Sequence, residues 1–376
     1  LMAVSHVSIR NSIFEQRKWI WFWVLSGAVF LAHIFFVTDT LAAVKHLIIL
    51  ALGGAIAILI PAFSKVDQHS NRMQRFLTFI LVLDLFIALL ETTGMARWPI
   101  GSISNLNVFF GYPNLLDRFR DDPVALSFLQ FSPTGFHWNP NDCCLALLIP
   151  LPLMFARSKR PWLSVLYTIA IFFLMLMAGA RLLMFLMLVT LCIMSIFSIF
   201  SRKAIALSGV LCVAMMLMFY QFSGRSQEAM KPVGEVADNS SAARIQLMER
   251  TFELFKSSHG LGVGGGQAQA VIQREGGFGI HHDSSIHNFW LEWLTEGGVI
   301  LALAYVLYFG GICWSLWRLY RSTRDVDSLA LFFAMMILWI GVVSLSSALY
   351  FLPMYILFGL SIAHIERKRS QPESSH

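Results

Sequence analysis

The sequence predicts an all-α fold, a polytopic bundle of about ten transmembrane helices forming a single membrane domain over 1–376. Three observations predict it. The chain is 57% hydrophobic and only 13% charged, where a soluble domain carries about 25% charged residues. Its mean hydropathy is +0.65. Its apolar runs are continuous and about 20 residues long, as helices crossing a bilayer require, and do not alternate as the strands of a membrane barrel would.

The spans are expected near 19–37, 41–63, 76–96, 141–156, 161–180, 182–200, 204–222, 289–317, 329–350 and 352–366. Basic residues order them. With the N-terminus in the cytoplasm, inner loops hold Arg17 and Lys18, Arg72 and Arg75, Arg157 and Lys159, Arg202 and Lys203, Arg318 and Arg321, and Arg367 and Lys368. The short turns near 38–40, 179–182 and 350–353 hold almost none, as the positive-inside rule demands. Both termini are therefore expected in the cytoplasm. The net charge of +6 then needs no nucleic acid to explain it. The first apolar run reads as a full span and lacks a signal-peptide cleavage site. Five cysteines lie in or beside spans with no CxxC spacing, so no disulfide framework is expected.

Two outer segments are long, a first periplasmic loop over 97–140 and a large one over 223–288. Loops of that length carry function or lack order. The second contains an amphipathic stretch near 241–257, with Ile245, Met248, Phe252 and Phe255 on one face. Such a helix suits the membrane surface or a packed loop. In the first loop, Asn139, Pro140, Asn141 and Asp142 read as the capped start of span four.

Several polar residues are candidates for chemistry. Arg181 separates spans five and six, where a guanidinium near membrane depth snorkels or binds an anion. Arg244 opens the amphipathic helix, against its dipole. His287 stands at the lip of span eight as a general-base candidate. Asn288, Glu292 and Glu296 follow at i, i+4 and i+8, on one stripe, and Glu296 is also suited to anchoring the turn before Gly297 and Gly298. His281, His282, Asp283 and His287 match no standard metal-binding spacing, so no metal is expected. The glycine-rich Gly260–Gln267 lacks the Lys-Ser/Thr of a nucleotide loop and reads as a turn allowing close backbone approach. Asp84 and Glu91 share a face of span three, fit for a proton path or for pairing with Arg or His of neighbouring spans.

Together these pieces resemble the O-antigen ligase/polymerase family of bacterial membrane glycosyltransferases, most clearly over 135–310. "GAR" before an apolar span, "AARIQLMERTFELFKSSHGLGVGGGQ", "HNFWLEWLTEGGVIL" and "GFHWNPNDCC" carry the resemblance. The ligase-type pattern fits His287, Asn288 and Gly298 but departs at Leu301 and Phe185. The resemblance implies a GT-C-like architecture and transfer of a glycan from undecaprenyl pyrophosphate to a sugar hydroxyl at the periplasmic face of the inner membrane. It implies neither metal nor cofactor. His287 would be the catalytic base, Arg181 and Arg244 would bind the pyrophosphate, and Asn288, Glu292, Glu296, Asn141 and His259 would support the site or bind sugar. The implied partners are the lipid-linked donor, a glycan or lipid A-core acceptor, membrane lipids and a chain-length regulator. Ten spans favour repeat-unit polymerisation over ligation to lipid A-core. A transporter is the rival from another class, but it should show inverted repeats and broken helices at mid-membrane.

Overall fold

The computed structural model describes residues 17–64, 67–99, 103–104, 126, 129–157, 159–197, 201–224, 244–276, 286, 288–345 and 348–370, the side chains of 67–71 and 220–224 excepted. The described residues are helical and contain no strand. In order these helices are α1 (Arg17–His33), α2 (Thr40–Ser64), α3 (Asp67–Thr92), α4 (Pro140–Leu148), α5 (Leu151–Arg157), α6 (Pro161–Ala178), α7 (Arg181–Ile196) and α8 (Arg202–Gly224). There follow α9 over 244–257, α10 (Gln267–Arg274), α11 (Phe289–Thr323), α12 (Val326–Gly341) and α13 (Leu352–Ser370).

Local chemistry sets these boundaries. Asn139 caps α4 by accepting from the Asp142 N–H at 2.9 Å, and Pro140 takes the first helical position. Gly179 closes α6 in the left-handed conformation, φ 64°. Asp325 caps α12 by accepting from Ser328 N–H at 2.8 Å. Pro150 has no N–H to continue α4, so α4 and α5 run on as one proline-kinked unit.

Among the described residues, six helices are long and apolar enough to cross a membrane: α2, α3 from Arg72, α6, α8 to Phe219, α11, and α12 extended to Ser344. The other four expected spans fall on α1 (17 residues), the kinked α4–α5 pair, α7 (16 residues) and α13, whose last turn is Arg367–Arg369. Large apolar side chains such as Phe76, Phe79, Phe86, Leu207 and Val210 stand exposed around the bundle. In water such a belt would be an aggregation surface; against lipid it costs nothing. The chain is a multi-pass membrane protein.

Inside, aromatic rings of α1, α11 and α13 interlock: Phe22 stacks on Tyr308 at 4.6 Å, and Tyr308 meets Phe358 edge-on at 5.5 Å. One end of the bundle, the basic end, is latched by ion pairs. Arg157 grips Asp327 through two bonds of 2.9 and 2.8 Å. Asp325 accepts from Ser328 and pairs with His364 at 2.9 Å and Lys368 at 2.8 Å. Burial pushes the Asp325 carboxyl up, but the bonds from His364, Lys368 and Ser328 outweigh it and hold it well below the usual range. The other end, the loop end, carries α9, α10 and the residues before α4.

Candidate active site at the loop end

The loop end is organised by a break in α11. Gly298 has φ 73° and ψ −179°, a conformation open to glycine alone. The break frees the Thr295 and Glu296 carbonyls and the Val299 N–H from the helical ladder. The glycine-rich segment takes all three: Val263 N–H donates to Thr295 O at 2.8 Å, Gly264 N–H to Glu296 O at 3.0 Å, and Val299 N–H to Gly260 O at 3.0 Å. These three backbone groups are thereby satisfied although the helix is broken. The approach is close. A Cβ on Gly262 would lie 2.6 Å from Glu296 O, and one on Gly298 would lie 2.4 Å from Leu261 O. The close approach expected of the glycine-rich turn is thus made to the protein's own α11. The segment also seals the α1–α2 turn, where buried Gln267 accepts from Asp39 N–H at 3.0 Å and donates to Asp39 O at 2.8 Å.

This platform fixes several of the sequence-expected residues. Asn288 is the N-cap of α11 and accepts from Leu291 N–H at 3.2 Å; its amide also reaches Met248 Sδ at 3.6 Å. Glu292 lies in the first turn of α11, half-buried. Glu296 is buried two residues before the break, its Oε2 3.3 Å from Nδ1 of buried His46 on α2. The Gly266 and Ala268 backbone N–H groups face the same carboxylate. Gly265 makes room for the imidazole, since a Cβ there would sit 2.5 Å from the ring.

Arg244 begins the described part of α9, exposed, one turn before Met248 and on the same side of the helix. The Met248–Asn288 contact and the Thr251–Thr295 bond of 3.2 Å lay α9 along the start of α11, so Arg244 and Asn288 are drawn to one region. Arg181 is the first residue of α7; its side chain is exposed and makes no hydrogen bond or ion pair among the described residues, while its backbone N–H donates to Gly179 O at 2.9 Å. Ala180 offers no side-chain cap to the N–H groups that follow. His259 has φ 52° and ends α9, with its N–H on Lys256 O at 3.0 Å. Asn141 is half-buried in the first turn of α4. His287, with His281, His282 and Asp283, lies outside the described residues.

The amphipathic helix carries a second face that the sequence reading did not single out. Leu247, Thr251 and Leu254 are buried, against a cluster containing Ala268, Ile272 and Ile286. Ile245 and Phe252 stay exposed, free to meet a membrane surface.

A second polar constellation gathers around Asp84 and Glu91, which the sequence marked as candidates without deciding between a proton path and pairing. Asp84, Ala88 and Glu91 form the buried stripe of α3. Glu91 accepts from Trp98 N–H (2.9 Å), Thr134 N–H (2.5 Å) and Gly135 N–H (2.8 Å). Asp84 accepts from Phe136 N–H at 2.8 Å, and its Oδ2 lies 3.1 Å from His137 Nε2. The two carboxylates therefore clamp the segment before α4. The signal in the sequence was the seven-residue spacing of the acids, but the partners in the segment before α4 lie more than 40 residues away. Asp84 and His137 line a furrow of about 900 Å³ between α3, α4–α5 and α13. Its wall is aliphatic, with Leu77, Leu81, Leu153, Ile356 and Leu360. Its loop-end mouth holds Asp84, His137, Trp138, Asp142, Gln269 and Tyr350, and its far end holds Arg157, His364 and Arg367. Arg181, Arg244 and Asn288 are not among its lining residues.

Comparison with known proteins bears on this arrangement. Residues 144–306 match the family model described as O-antigen ligase. That stretch includes Arg181, Arg244, Asn288, Glu292 and the α11 break. The chain is also similar to the teichuronic acid biosynthesis protein TuaE of Bacillus subtilis (strain 168), with 25% identity over 141 residues, 36% of this chain and 29% of that protein. The matched part thus spans under a third of the relative's length. No solved structure matches the chain significantly. The match over residues 144–306 and the similarity to TuaE support the O-antigen ligase/polymerase family for this part of the chain.

Proposed function

We propose that this protein is an inner-membrane glycosyltransferase that moves a glycan from undecaprenyl pyrophosphate to a sugar hydroxyl on the periplasmic side. The family match over 144–306, which contains the arginines and the α11 platform, is the observation that carries the reading. The chemistry of the residues supports it. The leaving group is a diphosphate. The planar fork of arginine takes two phosphate oxygens at once and never loses its charge. Arg181 adds its guanidinium to the uncapped N–H groups of α7, a combination that favours an anion. Arg244 is brought towards Asn288 by the packing of α9 on α11. His287, next to Asn288 in the chain, takes the proton of the attacking hydroxyl as general base. Glu292 and Glu296 support the start of α11, and Asn141 and His259 stand as sugar-side candidates. The reaction inverts the anomeric centre and needs no metal. The loop end faces the periplasm and both termini lie in the cytoplasm, as the basic residues at the other end favour. Repeat-unit polymerisation is the preferred form, with ligation to lipid A-core the alternative.

Glycan transfer by membranes bearing single variants tests the proposal. H287A should abolish transfer while the protein still accumulates and melts normally; near-normal transfer removes the base assignment. R181K and R244K should each lose most activity, because a point charge replaces a fork. Transfer should survive a chelator. In cells lacking the protein, one repeat on core indicates a polymerase, and accumulated lipid-linked polymer indicates a ligase.

A further inference from the structure

The stretch 289–297 stands apart from the rest of α11. Because of the break at Gly298, its direction is not inherited from the helix beyond. Side contacts set it instead. Trp290 Nε1 donates to Trp339 O of α12 at 3.3 Å, Thr295 Oγ1 donates to Thr251 O of α9 at 3.2 Å, and Glu296 meets His46 of α2. We infer that His46 is a positioning residue for glycan transfer: through Glu296 it fixes the direction in which α11 presents its first turns, where Asn288 and Glu292 stand and which His287 precedes. This role rests on the transferase reading, and His46 lies outside the family match over 144–306.

Glu296 is a junction of three segments. Its carbonyl accepts from Gly264 N–H at 3.0 Å, its carboxylate faces the Gly266 and Ala268 N–H groups, and its Oε2 lies 3.3 Å from His46 Nδ1. Both side chains are buried, Glu296 1% and His46 4% exposed. Oε2 makes no hydrogen bond among the described residues, so the imidazole is the polar group that stands beside it. As packing alone, His46 is a costly choice. Its ring fills a space bounded by Phe30, whose ring centre lies 4.5 Å away, and by Gly265, where a Cβ would lie 2.5 Å from it. Its Nε2 is buried and makes no hydrogen bond among the described residues, which is unfavourable in a low-dielectric interior. A phenyl ring would fill that space with no nitrogen stranded. What it lacks is the Nδ1 contact with Glu296.

The test uses the full chain in lipid nanodiscs, with lipid-linked glycan extracted from cells lacking the protein as substrate. H46F should lower kcat about tenfold and leave KM unchanged, as a small misplacement of reacting groups does. H46N, whose amide nitrogen takes the place of Nδ1, should recover most of the loss. E296Q should also slow turnover, and H46F combined with E296Q should be no slower than the worse single variant, since both cut one contact. Amide hydrogen exchange needs no substrate: over 289–297 it should quicken in H46F and return towards wild type in H46N, with 300–323 unchanged. H46M, flexible enough to fill the same space, replaces H46F if the latter melts early. Wild-type transfer and exchange in folded H46F, rate losses that multiply in the double variant, H46N no better than H46F, or exchange quickened throughout α11 would overturn the inference. No product from wild type would instead remove the transferase reading, while exchange still decides whether His46 holds 289–297.

Discussion

Glu91 and Glu296 are both fully buried carboxylates at the loop end, yet they are held in opposite ways. Glu91 accepts from three backbone N–H groups and the Thr134 hydroxyl, with the Arg97 guanidinium at 4.0 Å. Its charge is matched by donors that cannot leave. Glu296 has a titratable partner from another helix, His46 at 3.3 Å, and its Oε2 makes no hydrogen bond. Low-dielectric surroundings strengthen a satisfied carboxylate and penalise an incomplete one. The first arrangement is a clamp. The second is a carboxylate–imidazole contact between two helices, placed two residues from the α11 break and four from Glu292.

The comparison can be broken or sharpened by substitution. The largest effect is expected at the break itself. G298A forces a side chain into a glycine-only conformation and towards Leu261 O, and should cost about 3 kcal/mol or more in thermal unfolding. E91A comes next. It strips several buried donors of their acceptor and should cost about 3 kcal/mol, with new proteolytic cleavage appearing within 132–138. E296Q should be milder, within about 1 kcal/mol, because the oxygen it neutralises lacks a hydrogen bond. If E296Q melts as early as E91A, the contrast between clamp and carboxylate–imidazole contact fails.

D325N, at the opposite end, should cost about 1 kcal/mol at neutral pH. Its folded-state carboxyl lies below the unfolded value of about 4. The Asp325 contribution is therefore present above that value and fades as pH falls through the lower folded one. Melting curves of wild type and D325N should converge on acidification. A gap that stays constant would remove the ion pairs as its cause.

Much of the fold could be read from the chain alone. The apolar runs located the helices, and Asn139-Pro140 and Gly179 marked boundaries that the coordinates reproduce within a residue or two. The glycines of 260–266 announced close backbone approach, read as being to a ligand or membrane, and the structure shows it made to α11. The N-cap role of Asn288 was harder to see, because the same residue also suits a sugar contact. The amphipathic helix was read by the face of Ile245, Met248, Phe252 and Phe255, of which Ile245 and Phe252 are exposed while Met248 and Phe255 are half-buried. Its packed face, Leu247, Thr251 and Leu254, carries a threonine and looked less apolar. The split of span eight at Gly298 was hidden because the break is healed by a segment more than 30 residues earlier in sequence.

By itself the sequence determined the class of the protein, the helices, most of their ends and the sign of each bundle end. These follow from periodicity, hydropathy and capping, which act within a few residues. Tertiary structure decided which buried carboxylate meets backbone and which meets imidazole, what the glycine-rich segment packs against, and where a furrow opens. A polar group inside a bilayer-sized bundle must find a partner, but nothing local names that partner. The choice falls to whichever distant segment the packing of the helices brings within about 3 Å.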